Sequence, residues 1–208
     1  MSQKILYLAS ASSSRAMLLD EICMPYKLLK QTADESSCDW GLPIQKLVTS
    51  IAHLKMDHVI LPEPGQDGQV IFVVTADTVS QDYEGNNFGK PVDLQDAYRM
   101  VRILRNGSLV GTGFCVAKFC VKNGAWVKID YRQGYAQARC KFDVPEAFLE
   151  TYFKQHPVSL RAAGGMAVEQ FGLQFFKEIN GSFTAIVGLP LYELRAALTE
   201  LGFYDEFL

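Results

Sequence analysis

Apolar residues come in short unbroken runs early in the chain and in helical or alternating spacing later. KILYLA (4–9) and VIFVVTAD (70–77) are continuous, short and apolar, which predicts two buried strands, the second of them central. SSRAMLLDEI (13–22) predicts a helix, with Ser12 or Ser13 as N-cap and Met17, Leu18, Leu19 and Ile22 turned inward. YKLLKQT (26–32) predicts a strand, DESSCDW (34–40) a polar loop, and 43–61 an amphipathic helix opening on Pro43. A Pro- and Gly-dense loop precedes the central strand, and EGNN (84–87) reads as a hairpin connection after it. A helix over 94–104 follows. Three antiparallel strands are expected at 108–120, 125–137 and 138–144, the first two separated by the KNGA turn. The remainder predicts a helix at 145–155, the Gly-rich segment 162–172, a strand at 173–179, an NGS turn and a helix from Pro190 to Leu201. Strands and helices alternate before a late antiparallel block. The fold class is therefore α/β (mixed α+β), with one central twisted mixed sheet in a single domain over 1–208.

Composition narrows the partners. The chain has 208 residues, is 49% hydrophobic and 21% charged, and carries a net charge of -3, so no basic field points to a nucleic-acid polymer or a membrane. A small anionic ligand held by a local cluster of cations remains compatible with that balance. Cys23, Cys38, Cys115, Cys120 and Cys140 are odd in number and lack C-x-x-C spacing, which favours buried free thiols over disulfides or a zinc site. The opening MSQKILYLAS lacks the long apolar region and cleavage site of a signal peptide, and no apolar run approaches a membrane span. A cytoplasmic protein is expected.

The candidate chemistry sits at strand ends. After the first strand comes SASSSR, with Ser10, Ser12, Ser13, Ser14 and Arg15. A polar turn into a helix N-terminus offers backbone N–H groups and a favourable dipole to an anion, and arginine forks onto phosphate oxygens. Asp34 and Glu35 follow the second strand, and Asp77 and Thr78 end the most apolar one. Ligands of open α/β sheets gather beyond the carboxyl ends of the strands. Lys55 on the long helix and Lys90 in FGKPVD complete a set suited to Mg²⁺-assisted phosphate chemistry, in which carboxylates hold a hard cation and cations hold the phosphates.

At these residues the sequence resembles the Maf family of nucleoside triphosphate pyrophosphatases. The family's S-x-S-P-x-R corresponds to Ser10–Arg15, its acidic loop to Asp34–Glu35, and its A-D-T-V to Ala76–Val79. Its G-K-P corresponds to Gly89–Pro91, its T-G to Thr112–Gly113, its A-G to Ala163–Gly164, and its G-L-P-L to Gly188–Leu191. The matches run in order over nearly the whole chain. The resemblance implies two lobes with a cleft, a homodimer, and hydrolysis of a nucleotide between the α- and β-phosphates with a divalent metal (Mg²⁺ or Mn²⁺). The chain departs from the family pattern at Ser13, Ser14, Ala162 and Met166, where proline, arginine, lysine or cysteine, and an aromatic are common.

With that resemblance, Asp77 is expected to be the general base or the metal's anchor, with Glu35 sharing the metal. Arg15, Lys55 and Lys90 are expected to neutralise charge on the triphosphate. Glu169 is expected to read the base. An ionised carboxylate only accepts hydrogen bonds, so it suits the donor edge of guanine and points to 7-methyl-GTP, the substrate of one family branch. dTTP/UTP or inosine triphosphate hydrolysis, and a catalytically weak nucleotide binder, are the alternatives. His53, His58 and His156 are expected to have no catalytic part, Trp40 to pack, Phe171, Phe175 and Phe176 to be core, and Arg99 and Arg102 to be solvated or at a dimer contact.

Overall fold

The computed structural model describes residues 4–205. Leu6–Leu8 (β1) lies between Tyr26–Leu28 (β2) and Val70–Gln81 (β3), parallel to both. Asn87–Phe88 (β4) turns back along the end of β3. Ser108–Lys122 (β5), Ala125–Phe142 (β6) and Phe176–Gly181 (β7) extend the sheet antiparallel, giving the order β2-β1-β3-β5-β6-β7. Parallel neighbours need crossovers, and Ser13–Glu21 (α1) and Ile44–Asp57 (α2) supply them. The other helices are Leu94–Leu104 (α3), Leu149–Gln155 (α4), Phe183–Val187 (α5) and Leu191–Glu200 (α6).

The two faces of β3 follow the strand period of two. Phe72, Val74 and Ala76 join the larger core with α1, α3, α4, α5 and α6. Ile71, Val73 and Val79 join the cores made with α2, and Thr75 donates to the Ala52 carbonyl of that helix at 2.6 Å. Asp77 falls in the same register and so faces α2.

The length of β3 against its neighbours makes the site. On one edge β3 pairs with β5 along its whole length. On the other, Val74 is opposite Leu8 at the end of β1, and the next strand pairing is Ser80 with Phe88. Among the described residues, Thr75–Val79 have no strand partner on that edge. The result is a notch in the sheet, with Asp77 at its middle.

Several expectations need correction. The second and third antiparallel strands are one strand, β6. Gly134, within it, is a close approach: a Cβ there would meet the Phe114 ring at 2.3 Å. β2 is shorter than expected, and Gln31 forms only an isolated bridge with Val59. α2 ends at Asp57, short of the expected Leu61. The expected strand at 173–179 begins only at Phe176, after a helical turn over Gln170–Phe175. α5 was not expected, although Ser182 caps its start and Gly188, at φ 121°, its end. The KNGA turn is as expected: Asn123 and Gly124 both have positive φ, and the two oxygens of Asp67 accept from their N–H groups.

Candidate active site

A cavity of about 510 Å³ opens at the notch. All eight residues expected to form the site line it: Ser10, Ser12, Arg15, Glu35, Lys55, Asp77, Lys90 and Glu169. Ser12 caps α1, its hydroxyl accepting from the Arg15 N–H at 3.4 Å, so the N-terminal turn of the helix lines the cavity. Ser10 Oγ accepts from the Ser12 N–H and from Arg15 Nη1, at 3.2 and 3.0 Å, which leaves its own proton to donate.

Arg15 is buried and fixed from three directions. Nε donates to the Gly188 carbonyl at 2.7 Å, Nη1 to Ser10, and Nη2 to Thr78 Oγ1 at 3.2 Å. Thr112 Oγ1 donates to the Ala185 carbonyl at 2.6 Å, so in its 2.8 Å contact with Thr78 it is the acceptor. Thr78 therefore donates to Thr112 and accepts from Arg15. Two of the five guanidinium N–H donors remain for a ligand. Burial lowers the Arg15 pKa, and the charges of Asp77 and Glu35 oppose the shift.

Lys55 Nζ lies 2.6 Å from Asp77 Oδ1 and 2.9 Å from Glu35 Oε1. Burial pushes the Asp77 carboxyl above its ordinary range, against the pull of Lys55 and Arg15. Among the described residues no hydrogen bond reaches Asp77 Oδ2, and Asp77 lines the cavity. Lys90 stands on the rim. Partial removal from water, then repulsion by Lys55 and Arg15, lower its pKa, while Glu35 and Asp77 hold it up. Trp40 packs on Gly89, where a Cβ would lie 2.8 Å from the indole, and helps line a smaller adjoining space of about 320 Å³ with Glu35, Asp77 and Lys90.

Glu169 comes from the Gly-rich segment and is half-buried. Its charge acts on Tyr152 and His156. Apolar wall comes from Val110, Leu160, Met166 and Ile186.

The donor set fits a divalent cation of a particular kind. Among the described residues no group of three or more His, Cys, Asp or Glu could hold a metal by itself. Glu35 and Asp77 are brought together by a cation already, the Lys55 ammonium. One or two carboxylates plus phosphate oxygens is the usual Mg²⁺ environment, so these two residues fit a metal that is also held by a bound polyphosphate.

Of the residues set aside in the sequence, Phe175 is buried, while Phe171 and Phe176 are half-buried against the larger core. His53 lies 3.5 Å from Asp57, and His58 Nδ1 lies 2.8 Å from the Leu54 carbonyl. Arg99 pairs with Asp96 and Arg102 with Glu146. All five cysteines are free, but the expectation that they are buried holds only for Cys115 and Cys140: Cys38 and Cys120 are half-buried and Cys23 is exposed. The sequence reading missed Thr112 and the α5 end as anchors of Arg15. Their signals were present in the T-G and G-L-P-L motifs, which carried no assigned role.

The fold and cavity define an α/β protein whose notch gathers cations, hydroxyls and carboxylates around a polyanion-sized space. A family model described as "Maf-like protein" matches residues 5–201, and the chain belongs to that family. It is 31% identical to a nucleoside triphosphate pyrophosphatase of Synechococcus sp. (strain WH7803), over 94% of this chain and 99% of that protein. It is 26% identical to a dTTP/UTP pyrophosphatase of Hydrogenovibrio crunogenus, over 97% and 98%. A dTTP/UTP pyrophosphatase of Caldicellulosiruptor bescii is 29% identical, over 96% of each chain.

Proposed function

We propose that this Maf-like protein is a nucleoside triphosphate pyrophosphatase, a hydrolase acting on acid anhydrides. It releases a nucleoside monophosphate and pyrophosphate from the triphosphate. The observation that carries the reading is the convergence of Arg15, Glu35, Lys55, Asp77 and Lys90 on one cavity at the sheet notch, from five separate parts of the chain. Water attacks the α-phosphorus, the bond from that phosphorus to the bridging oxygen breaks, and pyrophosphate leaves.

Asp77 Oδ2 accepts the proton of the attacking water, Oδ1 being turned to Lys55. Burial raises its pKa, and the neighbouring Lys55 and Arg15 oppose the rise. Arg15, the α1 N-terminus, Ser10 and Lys90 hold the phosphates and stabilise charge as it builds on the leaving oxygen. Glu35 and Asp77 would hold a divalent metal, Mg²⁺ or Mn²⁺, which supplies further charge neutralisation on the phosphates. Asp77→Asn should abolish pyrophosphate release and leave the circular dichroism spectrum unchanged. Near-normal turnover in that variant would remove Asp77 from the mechanism.

For the base, the Glu169 carboxylate in the cavity wall supports a ring that presents N–H donors, as guanine and 7-methylguanine do. The printed names of the Hydrogenovibrio and Caldicellulosiruptor relatives support the second reading, dTTP and UTP. A panel of 7-methyl-GTP, GTP, ITP, dTTP and UTP separates them: higher kcat/KM on dTTP would assign Glu169 another role.

A further inference from the structure

We propose that Lys55 is a built-in counter-ion occupying the cation position between Glu35 and Asp77, so that a divalent metal enters only together with a polyphosphate. The inference rests on the pyrophosphatase reading for the identity of that polyphosphate. Its central measurement needs no turnover.

Charge and space set the order of binding. The Lys55 ammonium touches one oxygen of each carboxylate, at 2.6 and 2.9 Å, and the residue is only 5% exposed. A divalent ion bridging the same two oxygens would have to take that place. Joining the ammonium there would set two cations in contact in a poorly solvated site, where their repulsion is little screened. Lys55 must therefore move. Arg15 and Lys90 already act on the same cluster with positive charge, and Lys90 has no ion-pair partner among the described residues. Without a new anion, a displaced Lys55 would leave two carboxylates for a region that holds two other cations. A polyphosphate removes the difficulty: its oxygens receive the ammonium on its four-carbon stem and also complete the coordination of the metal. Two carboxylates alone are too few ligands for a hard cation that prefers six oxygens.

The test is Mn²⁺ binding, followed by the loss of the free-ion electron paramagnetic resonance signal, without and with a nucleotide analogue, the Mn²⁺ held by the analogue alone being subtracted. The wild-type chain should bind Mn²⁺ weakly, and the addition of an α,β-methylene nucleoside triphosphate should tighten binding by about a hundredfold, since two more oxygen ligands arrive and the ammonium leaves. Lys55→Met removes the competing cation and keeps the side-chain length. That variant should bind Mn²⁺ without nucleotide about tenfold more tightly than wild type, as expected when a contacting like charge is deleted. Lys55→Met/Asp77→Asn should lose the gain. Thermal unfolding supplies a second readout. Lys55→Met should melt below wild type in EDTA, because the two carboxylates face each other uncompensated, and should recover on addition of Mn²⁺. Mn²⁺ binding by wild type that is equally tight with and without the nucleotide analogue would overturn the proposal, and this arm requires no variant. So would a folded Lys55→Met chain with no gain. Failure of the substrate panel, with the metal results intact, would instead count against the pyrophosphatase reading.

Discussion

Gly113 shows how tightly single positions are specified around the notch. A Cβ there would lie 2.7 Å from the Thr49 nitrogen and 2.8 Å from the Val48 carbonyl oxygen, both main-chain atoms of α2. Backbone cannot swing aside as a side chain can, so Gly113→Ala must push α2, and Lys55 with it, off the sheet. Overpacking of this kind costs about 1–3 kcal/mol, which urea unfolding would register as a lower midpoint at unchanged slope. His156 makes a different case. It is 1% exposed, and neither ring nitrogen has a hydrogen-bond partner. Burial depresses its pKa below the ordinary 6.5, against the pull of the Glu169 charge. The unfolded chain therefore binds a proton more readily than the folded one. Stability from this residue is full above pH 6.5 and is lost as pH falls toward the depressed value. His156→Leu should flatten the fall in urea midpoint between pH 7.5 and pH 5.5; an unchanged fall would place the loss elsewhere.

At the scale of elements, the Gly-rich segment depends on α4. The buried Tyr152 hydroxyl donates to the Gly165 carbonyl at 3.1 Å and accepts from the Ala167 N–H at 3.0 Å. It thereby fixes the backbone between Met166 and the wall that carries Glu169. Tyr152→Phe leaves two buried backbone groups unpaired, at about 1–3 kcal/mol each before any relaxation. The expected kinetic effect is a raised KM with kcat nearly preserved, because the Tyr152 hydroxyl bonds the Gly-rich backbone and none of Arg15, Glu35, Lys55, Asp77 and Lys90. Equal loss in kcat would contradict it. The elements that were legible in the sequence share a local cause. β3 announces itself by an unbroken apolar run, α2 by its amphipathic spacing, and the 122–125 hairpin by an Asn-Gly pair. Those that were not legible depend on distant partners. β6 runs straight through Gly134 because Phe114 of the neighbouring strand needs the space. α5, only five residues long, is held by contacts of Thr112 and Arg15 with its carbonyl end.

For the molecule as a whole, the residues that line the cavity were readable and their contacts were not. Charged and hydroxyl residues at strand ends named the cluster, but the notch arises because β1 stops at Leu8 while β3 continues to Gln81. Strand length relative to a neighbour is a property of pairing and leaves no mark in either segment alone. The same geometry makes the cavity a joint between distant parts of the chain, Ser10 to Lys90 on one side and Val158 to Val187 on the other. A ligand that fills it adds contacts to both and binds the folded state alone. Wild-type chain with Mg²⁺ and an α,β-methylene nucleoside triphosphate at about a hundred times its Kd should gain about 2.7 kcal/mol. For a chain of this size that corresponds to a rise in Tm of about 5–10 °C. Lys90→Ala, at the exposed rim, should fold normally yet show a smaller rise at the same concentration, because it loses a phosphate contact and no core packing. A full rise in that variant would take Lys90 out of the binding site, and no rise in wild type would separate this cavity from nucleotide binding altogether.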